Sequence, residues 1–119
     1  GLVGSEMCIR DRYYLYQGFV RMNLGIDGLF KIIRSEMKDL SPVSGDIFLF
    51  FGKNRQSVKI LRWDGDGFLL YYKRLEGGSF ELPTFNPNTG NYEISYQVLS
   101  FILNGVSLKS VRLRKRFRI

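Results

Sequence analysis

The stretch WDGDGF, from Trp63 to Phe68, places two carboxylates and two glycines between two aromatic residues. This spacing could belong to a calcium loop, to a catalytic pair of acids or to a tight turn. A calcium loop of the EF-hand type that starts at Asp64 would need an oxygen ligand at its fifth position and a glutamate at its twelfth. The chain has Phe68 and Leu75 at those positions, so the calcium interpretation fails.

A catalytic pair of acids lacks the residues with which it would have to work. Acid–base or nucleophilic catalysis needs a positioned base or an activated nucleophile near the acids. The chain contains no histidine, one cysteine (Cys8), and no serine in a G-x-S-x-G setting. Asp46 could join Asp64 and Asp66 in a metal site, but nothing in the sequence fixes the three together. We therefore expect a protein that is not an enzyme and uses no metal, cofactor or small-molecule substrate.

The turn interpretation explains every residue of the stretch. The strand-like runs SVKILRW (57–63) and FLLYYKR (68–74) flank it on either side. Asp-Gly is a favoured hairpin dipeptide, because glycine accepts positive φ and aspartate tolerates left-handed geometry. The two aromatic residues at the strand ends can then pack across the ladder. The predicted structural hairpin tip consists of Trp63, Asp64, Gly65, Asp66, Gly67 and Phe68.

The positive charge of the chain is concentrated at its end. The formal net charge is +7, and residues 108–119, here called the basic strip, contain six basic residues and no acidic one. A strip of this density attracts polyanions, although it could also be a solvated tail that only aids solubility. In an extended conformation four of its arginines would project from one face and suit phosphate groups. The predicted nucleic-acid contacts of the strip are Lys109, Arg112, Arg114, Lys115, Arg116 and Arg118.

The predicted hairpin also mixes basic and aromatic residues. Arg62, Lys73 and Arg74 are predicted as further nucleic-acid contacts beside Tyr71 and Tyr72. Exposed aromatic side chains can stack on bases. Aromatic residues in strands more often belong to the core, however, so burial is the stronger expectation for these rings.

The remaining elements predict a single small α+β domain with a mainly antiparallel sheet of four to five strands and two helices. The apolar residues from Met22 to Met37 recur at helical spacing and predict a helix near 22–40, which must stop before Pro42. We expect this helix to pack on one face of the sheet. The predicted strands are the run RYYLYQG and residues 46–51, 57–63, 68–74 and 79–82, and the second helix is ISYQVLSFILNG, ending at Gly105.

The length of 119 residues fits one domain. Residues 1–12, GLVGSEMCIRDR, have no clear period and resemble translated adapter sequence, so we expect a non-native or flexible arm. The predicted domain covers 13–107, followed by the basic strip at 108–119. No apolar run is long enough for a membrane span, so no membrane partner is expected. A single cysteine fits a reducing cytosol, and we expect a cytoplasmic protein.

The hairpin carries a family resemblance. VKILRWDGDGFLLYYKRLEGGSFELP (Val58 to Pro83) resembles the signature of the TnpB accessory proteins of the insertion-sequence-66 transposon family. SPVSGDIFLFFGKNR and RYYLYQG are similar to the strand patterns before that signature. The chain departs from the family pattern where it has GFVRMNLGIDGL, because the pattern has Gly-Pro-Thr-Asp-Met-Arg-Lys before Phe-Asp-Gly-Leu. The lost Pro-Thr is interpreted as the loss of a helix start with its capping hydroxyl.

The resemblance implies a small companion of a larger transposase, and it supplies no catalytic residue. The leading hypothesis is a non-catalytic accessory factor in DNA transposition that binds the DNA backbone, the partner transposase, or both. The alternative is a protein-interaction module that docks on the transposase without touching DNA. Because of the departures from the family pattern, a degenerate transposon remnant is a further alternative.

Overall fold

The protein is described here from a computed structural model that covers residues 11–37, 39–83 and 92–104. Within these residues, five strands form one sheet and a helix lies on each of its faces. The α+β class and the two helices predicted from the sequence are confirmed. The strands are β1 (Tyr13–Phe19), β2 (Ile47–Phe51), β3 (Ser57–Trp63), β4 (Phe68–Arg74) and β5 (Tyr92–Ile94), and the helices are α1 (Ile26–Glu36) and α2 (Tyr96–Asn104).

The strand order across the sheet is β4-β3-β2-β1-β5. Strands β2, β3 and β4 form an antiparallel meander, as predicted, and β1 also pairs antiparallel with β5. The pair β1–β2 is parallel, which the sequence analysis did not predict. Parallel neighbours need a crossover connection, usually a helix. The connection here contains α1. Because the two strands are parallel, their carboxyl ends lie at the same end of the sheet.

Two sequence-based element assignments are wrong. Residues 79–82 form no strand, although Phe80 is buried. Its ring packs edge-to-face on Phe51 with centroids 5.5 Å apart, and its N–H donates to the carbonyl oxygen of Arg55 at 2.6 Å. The apolar residues of this run therefore pack on the core without pairing as a strand, and Leu82 also packs against the same cluster. Ile94, which was assigned to the second helix, belongs instead to strand β5.

The sheet separates two apolar clusters. On one face, Leu29 and Ile33 of α1 are buried against β2 and β3, and on the other, Leu99 and Ile102 of α2 are buried. All five residues of β2 are buried, because this central strand is covered on both faces. Side chains alternate along β3, since Val58 and Ile60 belong to the α2 cluster and Leu61 to the α1 cluster.

The helices begin later than their sequence patterns suggested. Helix α1 starts after Gly25, which provides no side-chain cap, and residues 21–24 form a turn instead of a first helical turn. Phe19 ends β1, so no helix starts at Phe19 or Val20 in this chain, and the helix that follows has no capping hydroxyl. Helix α2 starts after Ser95, whose hydroxyl oxygen accepts a hydrogen bond from the N–H of Val98 at 3.1 Å. The predicted stop at Gly105 lies outside the described residues.

Candidate nucleic-acid interface

The WDGDGF stretch forms the tip of the β3–β4 hairpin. Trp63 and Phe68 are the last paired residues of the ladder, and their ring centroids are 5.0 Å apart in an edge-to-face contact. The N–H of Asp64 donates to the carbonyl oxygen of Gly67 at 2.7 Å, which closes the loop. Gly65 has a φ of +80°, a conformation that side chains with a Cβ rarely adopt. Backbone geometry therefore accounts for the spacing of these residues.

The two acids of the tip are exposed, with no metal-binding arrangement around them. In residues 11–37, 39–83 and 92–104, no group of three or more His, Cys, Asp or Glu side chains could hold a metal ion. Asp46, the third acid considered from the sequence, lies before β2, and its N–H donates to the hydroxyl oxygen of Ser44 at 3.2 Å. Nothing in the described geometry brings these carboxylates together for chemistry.

The three basic residues predicted on the hairpin each have a partner within the protein. Arg62 forms an ion pair with Asp11 at 3.6 Å, and Arg74 forms one with Glu76 at 3.3 Å. The ammonium of Lys73 donates to the carbonyl oxygen of Leu103 at 3.2 Å. By the alternation of strands, Arg62 and Lys73 belong to the α2 face and Arg74 to the opposite face. The hairpin therefore does not gather them into one cationic site.

The segments at the two ends of the chain are described only in part. The basic strip, with Lys109, Arg112, Arg114, Lys115, Arg116 and Arg118, lies outside the described residues, so its DNA contacts stay a prediction. The predicted N-terminal arm is described only at its last two residues. Asp11 pairs with Arg62, and the carbonyl oxygen of Arg12 accepts a hydrogen bond from the N–H of Ile47 at 2.9 Å. These two residues contact the sheet.

One hairpin aromatic is available to a ligand. Trp63 and Tyr71 are partly buried, whereas 52% of Tyr72 is exposed. The hydroxyl of Tyr72 lies 3.4 Å from that of Ser57, and the Lys59 ammonium lies 5.7 Å from the centroid of the Tyr72 ring. These contacts fix an exposed ring at the surface of the sheet.

Tyr72 lines an open groove that the sequence analysis did not predict. The groove has a volume of about 750 Å³ and lies where β1 and β2 end and β3 begins. In open sheets with helices on both faces, the carboxyl ends of parallel strands are a common place for ligands. Three separate segments of the chain build it. The lining side chains that could contact a ligand are Phe19, Arg21, Met22, Lys53, Asn54 and Tyr72.

Short hydrogen bonds hold the walls of the groove. The N–H of Val20 donates to the carbonyl oxygen of Phe51 at 2.9 Å, which continues the path of β1 beyond its end. The ammonium of Lys59 donates to the carbonyl oxygen of Leu24 at 2.6 Å, so the sheet anchors the turn at 21–24. On the other wall, the side-chain oxygen of Asn54 accepts from the N–H of Gln56 at 3.0 Å. The groove is therefore formed in advance of any ligand.

The groove is cationic and partly aromatic. Arg21 and Lys53 are exposed at its rim, and neither forms an ion pair with an acid in the part of the chain that the structure describes. Its described lining contains no acidic side chain. Phe19, at the end of β1, is 48% exposed. Such a combination suits an anionic ligand with flat rings.

Outside the groove, one tyrosine joins β1 to α1. The hydroxyl of Tyr16 donates to the Glu36 carboxylate at 2.6 Å. Burial, reinforced by this hydrogen bond, raises the pKa of Tyr16 from 10.0 to about 12. Both effects favour the protonated hydroxyl, which is the donor that the contact requires.

Comparison with known proteins identifies relatives across most of the chain. The family model described as "IS66 Orf2 like protein" matches residues 11–113. A protein of Sinorhizobium fredii (strain NBRC 101917 / NGR234), "Uncharacterized protein y4hO", is 32% identical over 95 residues, which cover 80% of each chain. "Uncharacterized protein y4jC" of the same strain is 31% identical over 88 residues, covering 74% of this chain and 73% of its own.

No solved structure matches the chain. Within residues 11–37, 39–83 and 92–104, no helix is both long enough and apolar enough to cross a membrane.

Proposed function

Because the chain belongs to the family of IS66 Orf2-like proteins, we propose that it is a non-catalytic accessory factor in DNA transposition that binds the DNA backbone through its basic strip. Family membership supports the association with transposition. The observation that carries the DNA contact is the charge distribution, since residues 108–119 hold six basic side chains and no acidic one. Cations at this density bind phosphates without regard to sequence, which suits a companion that steadies a larger enzyme on its DNA.

The proposal makes a quantitative statement about salt. Each phosphate that a basic side chain neutralises releases condensed counterions, so affinity for duplex DNA falls as salt rises. If all six basic residues of the strip meet phosphates of B-DNA, log affinity against log salt has a slope of about −5. Contacts to phosphate carry no base information, so the slope and the affinity should be similar on unrelated duplexes.

Substitution of the strip arginines tests this function. Replacing Arg112, Arg114, Arg116 and Arg118 together with glutamine should weaken duplex binding on all sequences and flatten the salt slope. The matched control replaces the same four residues with lysine, which keeps the charge and should keep most of the slope. Fluorescence anisotropy from low to moderate salt measures both. If the glutamine variant binds with the affinity and slope of the unchanged protein, the strip does not hold DNA.

Docking on the transposase is the second candidate, and the sheet topology favours it. Among the described residues, strand β4 lies at one edge of the sheet, at one end of the order β4-β3-β2-β1-β5. Outer strands offer backbone donors and acceptors with which a strand of another protein can pair. A pull-down with the cognate transposase, with and without nuclease, separates the two functions. Capture that survives nuclease supports protein docking, and capture that nuclease abolishes supports a shared DNA molecule.

A further inference from the structure

We propose that the groove at the carboxyl ends of β1 and β2 binds an unpaired strand of DNA, with bases stacked on Tyr72 and Phe19 and phosphates held by Arg21 and Lys53. The choice of DNA as the nucleic acid rests on the proposed function. The site itself rests on the geometry of the groove and is separate from the basic strip.

The first observation is the position of the exposed aromatic rings. Among the described residues, the large apolar side chains that are exposed are Phe19, Val43 and Tyr72. The two aromatic members of this set line the same groove, at the ends of two strands that are not neighbours in the sheet. Stacking on aromatic side chains is tolerant of sequence, because every base presents a flat π-face.

The second observation is the charge around these rings. Arg21 and Lys53 line the groove, and Lys59 places its ammonium beside the ring of Tyr72. Because the described lining contains no acid, the groove attracts a polyanion. A protein surface that carries both acidic and basic side chains would place some of its cations against Arg21 and Lys53 and is therefore a poorer fit. Arg21 can donate two parallel hydrogen bonds to one phosphate, and Lys53 acts as a point charge.

The size of the groove favours an unpaired strand over a duplex. Its volume of about 750 Å³ falls within the range of roughly 300–1,000 Å³ that is usual for sites of small ligands. Bases in a duplex stack on each other and are read from their edges, so their faces are not available to Tyr72 and Phe19. Unpaired nucleotides expose those faces and fit a site of this size.

The ring of Tyr72 is held in place before any strand binds. Its hydroxyl lies near the hydroxyl of Ser57, which is buried. On its face lies the ammonium of Lys59, which also donates a hydrogen bond to the carbonyl oxygen of Leu24 in the turn at 21–24. A fixed ring loses little conformational freedom when a base stacks on it. Binding therefore needs no rearrangement of the sheet.

The test compares a short oligothymidylate with a duplex of equal length, using fluorescence anisotropy on the full chain. Tyr72→Leu should weaken binding of the oligothymidylate by about 5- to 150-fold, the range expected for one lost base stack. Tyr72→Phe keeps the ring and should bind nearly as well as the unchanged protein. Phe19→Ser is a second variant at the other ring and should weaken binding in the same range.

Two substitutions serve as matched controls. Val43→Ser removes an exposed apolar side chain outside the groove lining and should leave the affinity unchanged. Lys31→Gln, on the exposed surface of α1, removes one charge away from the groove lining and should cost less than Arg21→Gln or Lys53→Gln. Thermal unfolding of every variant verifies that a loss of binding is not a loss of fold.

The results separate this proposal from the proposed function. If folded Tyr72→Leu and Phe19→Ser bind the oligothymidylate as tightly as the unchanged protein, the groove does not bind DNA, whatever the strip does. A Tyr72→Phe variant as weak as Tyr72→Leu would likewise overturn stacking. If the four-glutamine strip variant loses duplex binding but keeps the groove-dependent binding of the oligothymidylate, the two sites are independent and both proposals are supported.

Discussion

Lys59 connects the sheet to the turn that lines the groove, and its replacement by methionine tests how much that connection stabilises the fold. The Lys59 ammonium donates to the carbonyl oxygen of Leu24 at 2.6 Å and lies 5.7 Å from the centroid of the Tyr72 ring. Methionine keeps an unbranched side chain of similar shape and removes both interactions. The substitution therefore measures the contribution of the two interactions together.

The expected loss follows from the two contacts. A hydrogen bond that involves a charged group contributes about 1.5–3 kcal/mol to stability. A cation near an aromatic ring at an exposed site contributes about 0.5–1 kcal/mol. Part of the total is recovered, because the charged group no longer has to be partly removed from water. We expect the free energy of unfolding to fall by about 2 kcal/mol, and with a urea slope of roughly 1–3 kcal/mol per molar the midpoint falls by about 1 M.

Urea unfolding followed by tryptophan fluorescence measures the effect, since Trp63 is the single tryptophan and packs on Phe68. The matched control is Lys53→Met at the rim of the same groove, where the side chain is exposed and the change should stay within about 0.5 kcal/mol. A double-mutant cycle with Tyr72→Leu separates the ring contact from the hydrogen bond. Equal midpoints for Lys59→Met and Lys53→Met would refute the reasoning.

Two further predictions concern the hairpin loop and Tyr16. Gly65→Ala should destabilise the protein by about 1–2 kcal/mol, because Gly65 has a φ of +80°. Gly67→Ala should cost less, because Gly67 has open space around it and no positive φ. Thermal unfolding of the two variants measures both losses, and equal losses would contradict the argument. The pKa of Tyr16 is raised from 10.0 to about 12, so its contribution is fully present below pH 10 and is lost as the pH rises through 12. The stability difference between the unchanged protein and Tyr16→Phe should therefore shrink between these pH values, and a constant difference in alkaline unfolding curves would contradict it.

Local sequence signals predicted the elements whose partners are close in the chain. The β3–β4 hairpin follows from alternating strands and a loop of Asp-Gly pairs, and its register places Trp63 opposite Phe68. Helix α1 follows from its apolar period, although the glycine at position 25 delays its start to Ile26. These elements depend on turn chemistry and periodicity, which are properties of a short window of sequence.

Long-range pairings could not be predicted in this way. The parallel contact of β1 with β2 leaves no mark in either strand that distinguishes it from an antiparallel one. Strand β5 lies after a stretch rich in turn residues and is only three residues long, too short for its alternation to be recognised. The groove depends on three segments that are distant in sequence, and among its lining residues only Tyr72 was considered from the sequence as a residue that could stack on a base. Its aromatic and basic composition exists only after folding.

The departures from the family pattern have a structural explanation that does not require decay of the fold. Position 20, where the pattern has threonine, is a buried valine that keeps its backbone hydrogen bond to Phe51. Arg21 and Asn23 are exposed polar residues, whereas Phe19 is an exposed aromatic and Leu24 is an apolar residue packed against the α1 cluster. Phe19 and Arg21 line the groove. The family pattern has proline in place of Phe19 and aspartate in place of Arg21. Val20 therefore suits its buried position, and under the groove proposal Phe19 and Arg21 would offer a ring and a cation to an unpaired strand of DNA.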